Sequence, residues 1–189
     1  MNRLREALAA RMDPGIAGAV SRTLTQLCAD AMGCAEDDCS CAPLPEEAAA
    51  YSFSSDHAWV AVVLVHTESE GLAAVAECAD QIPPPERTVV VSLGARTTRL
   101  RAAPGVTVFE AKELAYNPTK HSEASKMTRL TPDQAEALLV RTLRVPPSAM
   151  PVMGINDIVA RYYGYARGDV VRCDRTTPSG TYTFYRVVA

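Results

Sequence analysis

The sequence predicts an α/β N-terminal domain with a small open, mostly parallel sheet, followed by a small α+β C-terminal domain. Residues 58–116 alternate apolar, strand-like runs with helix signals, which is the pattern of parallel β-α-β units. Pattern and composition change near Asn117-Pro118, and two helices, a short strand and a hairpin are predicted beyond that point. We therefore predict domains over residues 1–117 and 118–189.

Two helices are predicted at the start of the chain. An apolar stripe from Leu4 to Met12 predicts the first, which ends at Pro14-Gly15, and a stripe from Ile16 to Met32 predicts the second. Residues 33–50 contain prolines and acidic side chains, so we expect them to form a loop.

Three apolar runs predict the strands of the sheet: Ala58 to Val65, Thr88 to Leu93 and Val106 to Phe109. Nearly unbroken apolar runs are typical of strands that are buried on both faces. Thr67 and Glu70 have the spacing of a capping box, which predicts that a helix follows the first strand. A nucleotide site would require a glycine-rich turn at this position, and the sequence lacks one.

The C-terminal part carries clear helix boundaries. Thr131-Pro132 has the residue types of an N-cap followed by the first helical position, and Gln134 completes a capping box. Asn156 or Asp157 caps a brief second helix, which Gly164 ends because a helix commonly stops at a residue with positive φ. The β-branched and aromatic run Thr181 to Val188 predicts the second strand of a hairpin.

Composition and charge bound the class of protein. With 48% apolar and 22% charged residues, the chain has the composition of a soluble globular protein, and we expect it to be intracellular and to make no contact with a membrane. Residues 1–120 contain 10 basic and 16 acidic side chains, whereas residues 121–189 contain 9 and 6. This asymmetry indicates that the two halves meet different partners, but it is too mild for a free-standing DNA-binding domain.

The six cysteines raise the question of a metal site. Cys34, Cys39 and Cys41 lie in the predicted loop, and Cys28 lies on the helix before it. Structural zinc sites favour two pairs of ligands at short, regular spacing, and these cysteines do not follow that pattern. We expect no metal and no cofactor, with zinc in this loop as the alternative.

A set of residues in register extends over the last seventy or so residues of the chain. They are Asn117, His121, Thr131, Pro151, Asp157, Val159 to Gly164, Arg167-Gly168, Val170-Val171, Arg175, Gly180, Tyr182, Tyr185 and Arg186. In these positions the chain resembles the C-terminal domain of the fifth subunit shared by the eukaryotic nuclear RNA polymerases, a family that includes the archaeal counterpart of this subunit. The order of strands and helices upstream resembles, in pattern only, the jaw domain that eukaryotic members add.

Four departures from the family pattern indicate a divergent member, from a large DNA virus or a protist. The segment Glu123 to Met127 differs, Ile158 stands where the family usually has proline, and the Thr176–Ser179 turn is one residue shorter than in the family. The N-terminal domain is also shorter than in the family and carries the loop with the cysteines.

The resemblance implies a non-catalytic subunit of a multisubunit DNA-dependent RNA polymerase whose active site lies on other subunits. The C-terminal domain would dock on the largest subunit, among other polymerase subunits. The N-terminal domain would form a lower jaw that contacts downstream duplex DNA weakly and without sequence preference. The expected location is the nucleus for a cellular protein, and the virion or host cell for a viral one. No small-molecule substrate is expected.

Two groups of residues are candidates for contact with partners. The docking candidates are His121, Arg161, Tyr162, Tyr163, Arg167, Tyr182 and Arg186. For His121 a structural hydrogen bond, and for the tyrosine pair a place in the core, are the competing interpretations. The DNA-contact candidates are Arg96, Arg99 and Arg101, which lie near the carboxyl edge of the predicted sheet and could contact phosphates without reading bases. A solvated loop is the alternative there.

Two other classes of protein remain open at this stage. A free-standing transcription regulator with the same C-terminal module would purify apart from polymerase and bind DNA unaided. A small α/β nucleotide-binding enzyme built on residues 51–116 would bind nucleotide in a direct assay, although it would lack the glycine-rich phosphate turn.

Overall fold

A computed structural model of the chain describes residues 2–35, 37, 39–44, 50–55, 58–121 and 124–189. The chain divides into two compact units, Met1–Tyr116 and Asn117–Ala189, one residue away from the boundary that the sequence suggested. Within the described residues, no helix has both the length and the apolar composition that crossing a bilayer requires.

The N-terminal unit is built around one five-stranded sheet. Its elements are α1 Asn2–Ala9, α2 Pro14–Met32, β1 Ser40–Pro43, β2 Ala50–Ser54, β3 Trp59–Val65, α3 Glu68–Ala79, β4 Arg87–Ser92, α4 Thr98–Ala102 and β5 Val106–Glu110. The strand order is β1-β2-β3-β4-β5, and the β3-β4 and β4-β5 pairings are parallel, as predicted.

Strands β1 and β2 correct the sequence prediction in two respects. Part of the stretch expected to be a loop is β1, and the β1-β2 and β2-β3 pairings are antiparallel, so the sheet is mixed and not mostly parallel. In β2 the side chains of Tyr51 and Phe53 are buried while Ser52 and Ser54 are half-buried, which is the alternation of a half-buried strand. Pro43 is tolerated because β1 is an edge strand of the described sheet.

The capping predictions are confirmed in both units. The Thr67 hydroxyl accepts a hydrogen bond from the Glu70 backbone N–H at 3.3 Å, and the Glu70 carboxylate accepts one from the Thr67 backbone N–H at 3.2 Å. Thr131 and Gln134 form the same reciprocal pair at 3.3 and 3.0 Å. Each box satisfies two N–H groups that have no partner within the helix.

The C-terminal unit is an α+β structure with a four-stranded sheet. Its elements are β6 Lys126–Arg129, α5 Pro132–Glu136, which continues as a π-helical segment Ala137–Leu143, β7 Val152–Met153, α6 Ile158–Tyr163, β8 Val170–Thr177 and β9 Gly180–Val188. The strand order is β6-β8-β9-β7, with β7 parallel to β9 and the other pairings antiparallel. Asp157 caps α6, and Gly164 ends it in the left-handed conformation at φ 67°, as predicted.

This sheet carries a hydrophobic core on each of its two faces. Successive residues of a strand point to opposite sides, so each strand contributes side chains to both cores. The core on one face contains Ala160 of α6 and Tyr165, which pack with Val171, Cys173 and Val188. The core on the other face contains Leu139 of the π-helical segment and Met150, which pack with Val170 and Val187. The alternation along β8 and β9 thus divides the apolar residues between two cores.

Gly71 marks a close approach between α3 and α4 in the N-terminal unit. A Cβ atom at this position would lie 2.8 Å from Leu100 Cδ1 and 3.1 Å from Val65 Cγ1, and both neighbours are buried. Overpacking of this kind typically costs about 1–3 kcal/mol, more than the roughly 0.5–1 kcal/mol that alanine gains over glycine within a helix. We expect Gly71→Ala to lower the free energy of unfolding of this unit, measured in urea through the fluorescence of Trp59.

The same substitution in a Leu100→Ala background provides the control. Removing the Leu100 side chain relieves the 2.8 Å contact, while the 3.1 Å contact with Val65 remains, so Gly71→Ala should lower the free energy of unfolding less than it does in wild type. An equal loss of stability in both backgrounds would contradict the overpacking account.

Candidate functional site

A cavity of about 320 Å³ lies in the C-terminal unit and is called the C-terminal cleft below. Its lining residues come from the turn after Asn117, from the sheet and from α6. They are Pro118, Thr119, His121, Ala124, Ser125, Met127, Met153, Asp157, Val159, Tyr163, Arg175, Phe184 and Arg186.

The register of β8 and β9 brings three of these residues to one face of the sheet. Arg175 lies opposite Tyr182, and Cys173 lies opposite Phe184, so Arg175, Phe184 and Arg186 point to the same side. The Arg186 guanidinium carbon is 5.6 Å from the centre of the Phe184 ring, within the range of a cation–π contact. The part of the chain that the structure describes offers Arg186 no carboxylate within ion-pair distance.

Helix α6 forms one wall of the cleft. Asp157 Oδ1 accepts a hydrogen bond from the Val159 backbone N–H at 2.8 Å, which fixes the start of the helix. Near its end, the ring of Tyr163 stacks on that of Tyr165, with centres 5.5 Å apart and an interplanar angle of 20°. Because Tyr165 is buried, it holds the half-buried Tyr163 ring against the cleft.

The turn before His121 forms another wall. The Asn117 side-chain oxygen accepts hydrogen bonds from the Thr119 backbone N–H at 2.9 Å and from the Thr119 hydroxyl at 2.7 Å. This local closure, common for asparagine, holds a single 3-10 turn over Pro118–Lys120. The His121 carbonyl then accepts from the Ala124 backbone N–H at 2.9 Å.

The lining residues combine cationic and apolar groups. Arg175 and Arg186 supply positive charge, while the carboxylate of Asp157 is engaged in capping α6. Met127 and Met153 supply apolar, adaptable surface. The arrangement is suited to binding an acidic side chain that has an apolar neighbour.

The cleft brings together three of the seven predicted docking residues, His121, Tyr163 and Arg186. Tyr162 is 1% exposed, and its ring meets that of Tyr163 edge to face at 5.1 Å. This burial excludes Tyr162 from direct contact with a partner and corrects its predicted docking role to a role in the core.

The other three docking candidates lie outside the cleft lining. The Arg161 Nε–H donates to the Asn156 carbonyl at 3.1 Å. Arg167 is exposed, next to Gly168 with its φ of 91°. Tyr182 is 47% exposed on β9, with its ring centre 5.9 Å from that of Phe184.

Ten of the thirteen residues that line the cleft were absent from the sequence-based docking set, and two of them, Arg175 and Phe184, belong to its charged and aromatic face. The signal that could have found them is the period of two in β9, which places Phe184 between Tyr182 and Arg186 on one face. Finding Arg175 also required the register of the hairpin, since only the cross-strand pairing with Tyr182 assigns it to that face.

The three DNA-contact candidates lie at the carboxyl end of β4 and are all exposed. Arg96 is in the connection after β4, and Arg99 and Arg101 are on α4. Two residues apart on a helix, Arg99 and Arg101 do not face each other. The Arg101 Nε–H donates to Thr97 Oγ1 at 3.1 Å, and the Glu68 carboxylate accepts from the Arg99 backbone N–H at 2.6 Å. A carboxylate therefore lies beside this basic segment.

Comparison with known proteins places the cleft within a recognised domain. Residues 116–188 match the family model described as RNA polymerase Rpb5, C-terminal domain. The C-terminal unit is therefore similar to this domain family over nearly its whole length. The resemblance predicted from the sequence is thereby confirmed for this part of the chain. All residues that line the cleft fall inside the matched region, residues 116–188.

Two curated relatives agree with this assignment. One is DNA-directed RNA polymerase subunit 5-like protein 1 of Arabidopsis thaliana, 39% identical over 71 residues, which cover 38% of this chain and 33% of the relative. Another is subunit rpabc1 of DNA-directed RNA polymerases I, II and III of Dictyostelium discoideum, 39% identical over 80 residues, or 42% of this chain and 40% of the relative. The matched regions thus cover two-fifths or less of the length of each relative.

The packing of Tyr165 predicts a pH dependence for the stability of the C-terminal unit. Burial raises the pKa of the Tyr165 hydroxyl above its ordinary value of about 10, and the nearby Tyr163 adds to the effect. The unfolded chain therefore loses this proton at lower pH than the folded domain does. We expect the contribution of Tyr165 to stability to be constant below about pH 10 and to fall as the pH rises further.

Tyr165→Phe, compared with wild type by urea unfolding at pH 8 and pH 10.5, should reduce this alkaline loss of stability. The matched control is Tyr182→Phe, whose exposed side chain should leave the loss at the wild-type level. Equal losses in wild type and Tyr165→Phe would contradict the prediction.

Proposed function

We propose that the chain is a non-catalytic subunit of a multisubunit DNA-dependent RNA polymerase, with the active site on other subunits. Its C-terminal domain docks on the largest subunit through the C-terminal cleft, and its N-terminal unit serves as a lower jaw beside downstream duplex DNA. For a cellular protein the proposed location is the nucleus, because the matched relatives are eukaryotic proteins named as polymerase subunits or as subunit-like.

The observation that carries the docking proposal is the composition of the cleft within an Rpb5 C-terminal domain. A guanidinium that lies over an aromatic ring and has no described carboxylate partner is suited to an acidic side chain of another polypeptide. The methionine and tyrosine walls are suited to an apolar side chain beside that acid. We propose that an acidic segment of the largest subunit with an apolar residue fills the cleft.

The jaw proposal rests on the exposed arginines after β4. Three cations on one short, exposed segment can neutralise phosphates of a passing duplex without reading its bases. The acidic balance of the N-terminal unit and the Glu68 carboxylate beside Arg99 keep this attraction weak. Weak, non-specific contact allows the duplex to move past the protein.

The docking proposal predicts the behaviour of Arg186→Glu in the full-length tagged chain, purified from its native source. Wild type should co-purify with the two large polymerase subunits. Reversing the charge in the cleft should weaken association by about tenfold or more, because a like charge then faces the acidic segment. The amounts of the large subunits retained over a series of salt washes measure the effect.

Arg141→Glu provides the matched control, because it makes the same charge change at an exposed position outside the cleft of the same domain. It should retain the large subunits as wild type does. Equal retention by both variants would rule out the cleft as the docking site, and absence of the large subunits from the wild-type preparation would rule out the subunit role itself.

The jaw proposal predicts that changing Arg96, Arg99 and Arg101 together to alanine leaves assembly intact but weakens retention of downstream DNA. A plot of log affinity against log salt concentration has a negative slope, and each lost phosphate contact should reduce its magnitude by about 0.9. The magnitude of the slope should therefore fall by about 1 to 3 in the triple variant. The measurement is the salt dependence of downstream-DNA retention in elongation complexes purified with wild type or variant.

The control is the double variant Arg5→Ala with Arg22→Ala, at exposed positions on α1 and α2. An unchanged salt slope in the triple variant would refute the jaw contact.

A further inference from the structure

Two cysteines of the N-terminal unit are in direct contact. The sulfur atoms of Cys34 and Cys39 are 2.9 Å apart, and both side chains are half-buried. Cys34 follows Gly33, which ends α2 in the left-handed conformation, and its backbone N–H donates to the Ala29 carbonyl at 3.1 Å. The end of a 19-residue helix therefore positions one of the two thiols.

The other two cysteines of this region are in different environments. Cys28 is completely buried on α2, and burial strongly raises the pKa of its thiol. Cys41 is on β1 opposite Phe53, and burial raises the pKa of its thiol as well. Because the thiolate is the reactive form, a raised pKa makes both thiols less reactive than an ordinary cysteine at neutral pH.

The distance between the two sulfur atoms distinguishes a disulfide from a zinc site. Two thiolates on one tetrahedral zinc, each about 2.3 Å from the metal, lie about 3.8 Å apart. The sulfur atoms of a disulfide lie about 2.0 Å apart. At 2.9 Å, Cys34 and Cys39 are closer together than zinc ligands, and the described residues contain no group of three or more candidate metal ligands.

We propose that Cys34 and Cys39 form a site of thiol–disulfide exchange whose co-reactant is a small disulfide of the glutathione type. One cysteine thiolate attacks a sulfur of the small disulfide, forms a mixed disulfide and releases one small thiol. The second cysteine attacks the protein sulfur of the mixed disulfide, closes the Cys34–Cys39 bond and releases the second small thiol. The protein loses two electrons and two protons, which the two released thiols carry.

The bond would link the end of α2 to the start of the sheet, since Cys39 directly precedes β1. The link is reversible, because excess small thiol reverses both exchange steps. In a reducing compartment the pair stays as two thiols, and it closes when the small-disulfide fraction rises. This inference does not depend on the proposed polymerase role.

The test uses the purified full-length chain and glutathione disulfide. After incubation, free thiols are alkylated, and the protein is analysed by intact mass and peptide mapping. We expect two of the six thiols to be lost together, with Cys34 and Cys39 joined and no glutathione retained. Excess reduced glutathione should restore both thiols.

Two single variants test the mechanism. Cys34→Ser and Cys39→Ser each leave one thiol of the pair, so each should stop at the mixed disulfide and retain one glutathione. Cys41→Ser is the matched control from the same region and should still form the internal bond. A loss of stability would instead expose the buried cysteines Cys28, Cys78 and Cys173, and peptide mapping would then find glutathione on them.

Three outcomes would overturn the proposal. The first is an unchanged count of six thiols after treatment with glutathione disulfide. The second is a bond that joins Cys41 or Cys28 in preference to the Cys34–Cys39 pair. The third is zinc binding: the chain purified in the presence of zinc carries one equivalent of the metal, and Cys34 and Cys39 are protected from alkylation. That result would assign the pair to a metal site.

Discussion

Eight residue pairs join β8 to β9, from Val170 opposite Val187 to Thr177 opposite Gly180. Because side chains alternate between the two faces of a sheet, this register decides which residues enter which core of the C-terminal domain. It also brings Arg175 to the same face as Phe184 and Arg186. A shift of one residue in β8 would move Arg175 to the opposite face, and the same shift in β9 would move Phe184 and Arg186, so either shift would break up the candidate site.

The remaining walls of the cleft depend on short-range contacts that hold side chains against this face. Asp157 fixes the start of α6, and Gly164 ends the helix after Tyr163. Asn117 closes the turn that leads to His121. Each contact is local, but each places a lining residue where the hairpin presents its charged face. The candidate site thus arises from a long-range strand register combined with helix and turn signals of a few residues.

The N-terminal unit depends on close packing between helices over a largely apolar sheet. Gly71 allows α3 to approach Leu100 of α4, and the Glu68 carboxylate bonds to the backbone at Arg99. These contacts hold the basic segment after β4 in place. At the other end of the sheet, the contact between Cys34 and Cys39 lies at the connection from α2 to β1. Substitutions in the basic segment after β4 and substitutions in the Cys34–Cys39 pair can therefore be made independently.

The sequence by itself determined the features that depend on neighbouring residues: both capping boxes, the left-handed Gly164, the parallel strands β3 to β5 and the Rpb5 family pattern. Their energies come from contacts a few residues apart or from continuous apolar runs. Only the tertiary structure decided that β1 and β2 join the sheet, that Tyr162 is buried while Tyr163 lines the cleft, and that Arg175 and Arg186 line the same cleft. These outcomes depend on strand register and on which face of an element meets the core, and residues distant in the sequence set both.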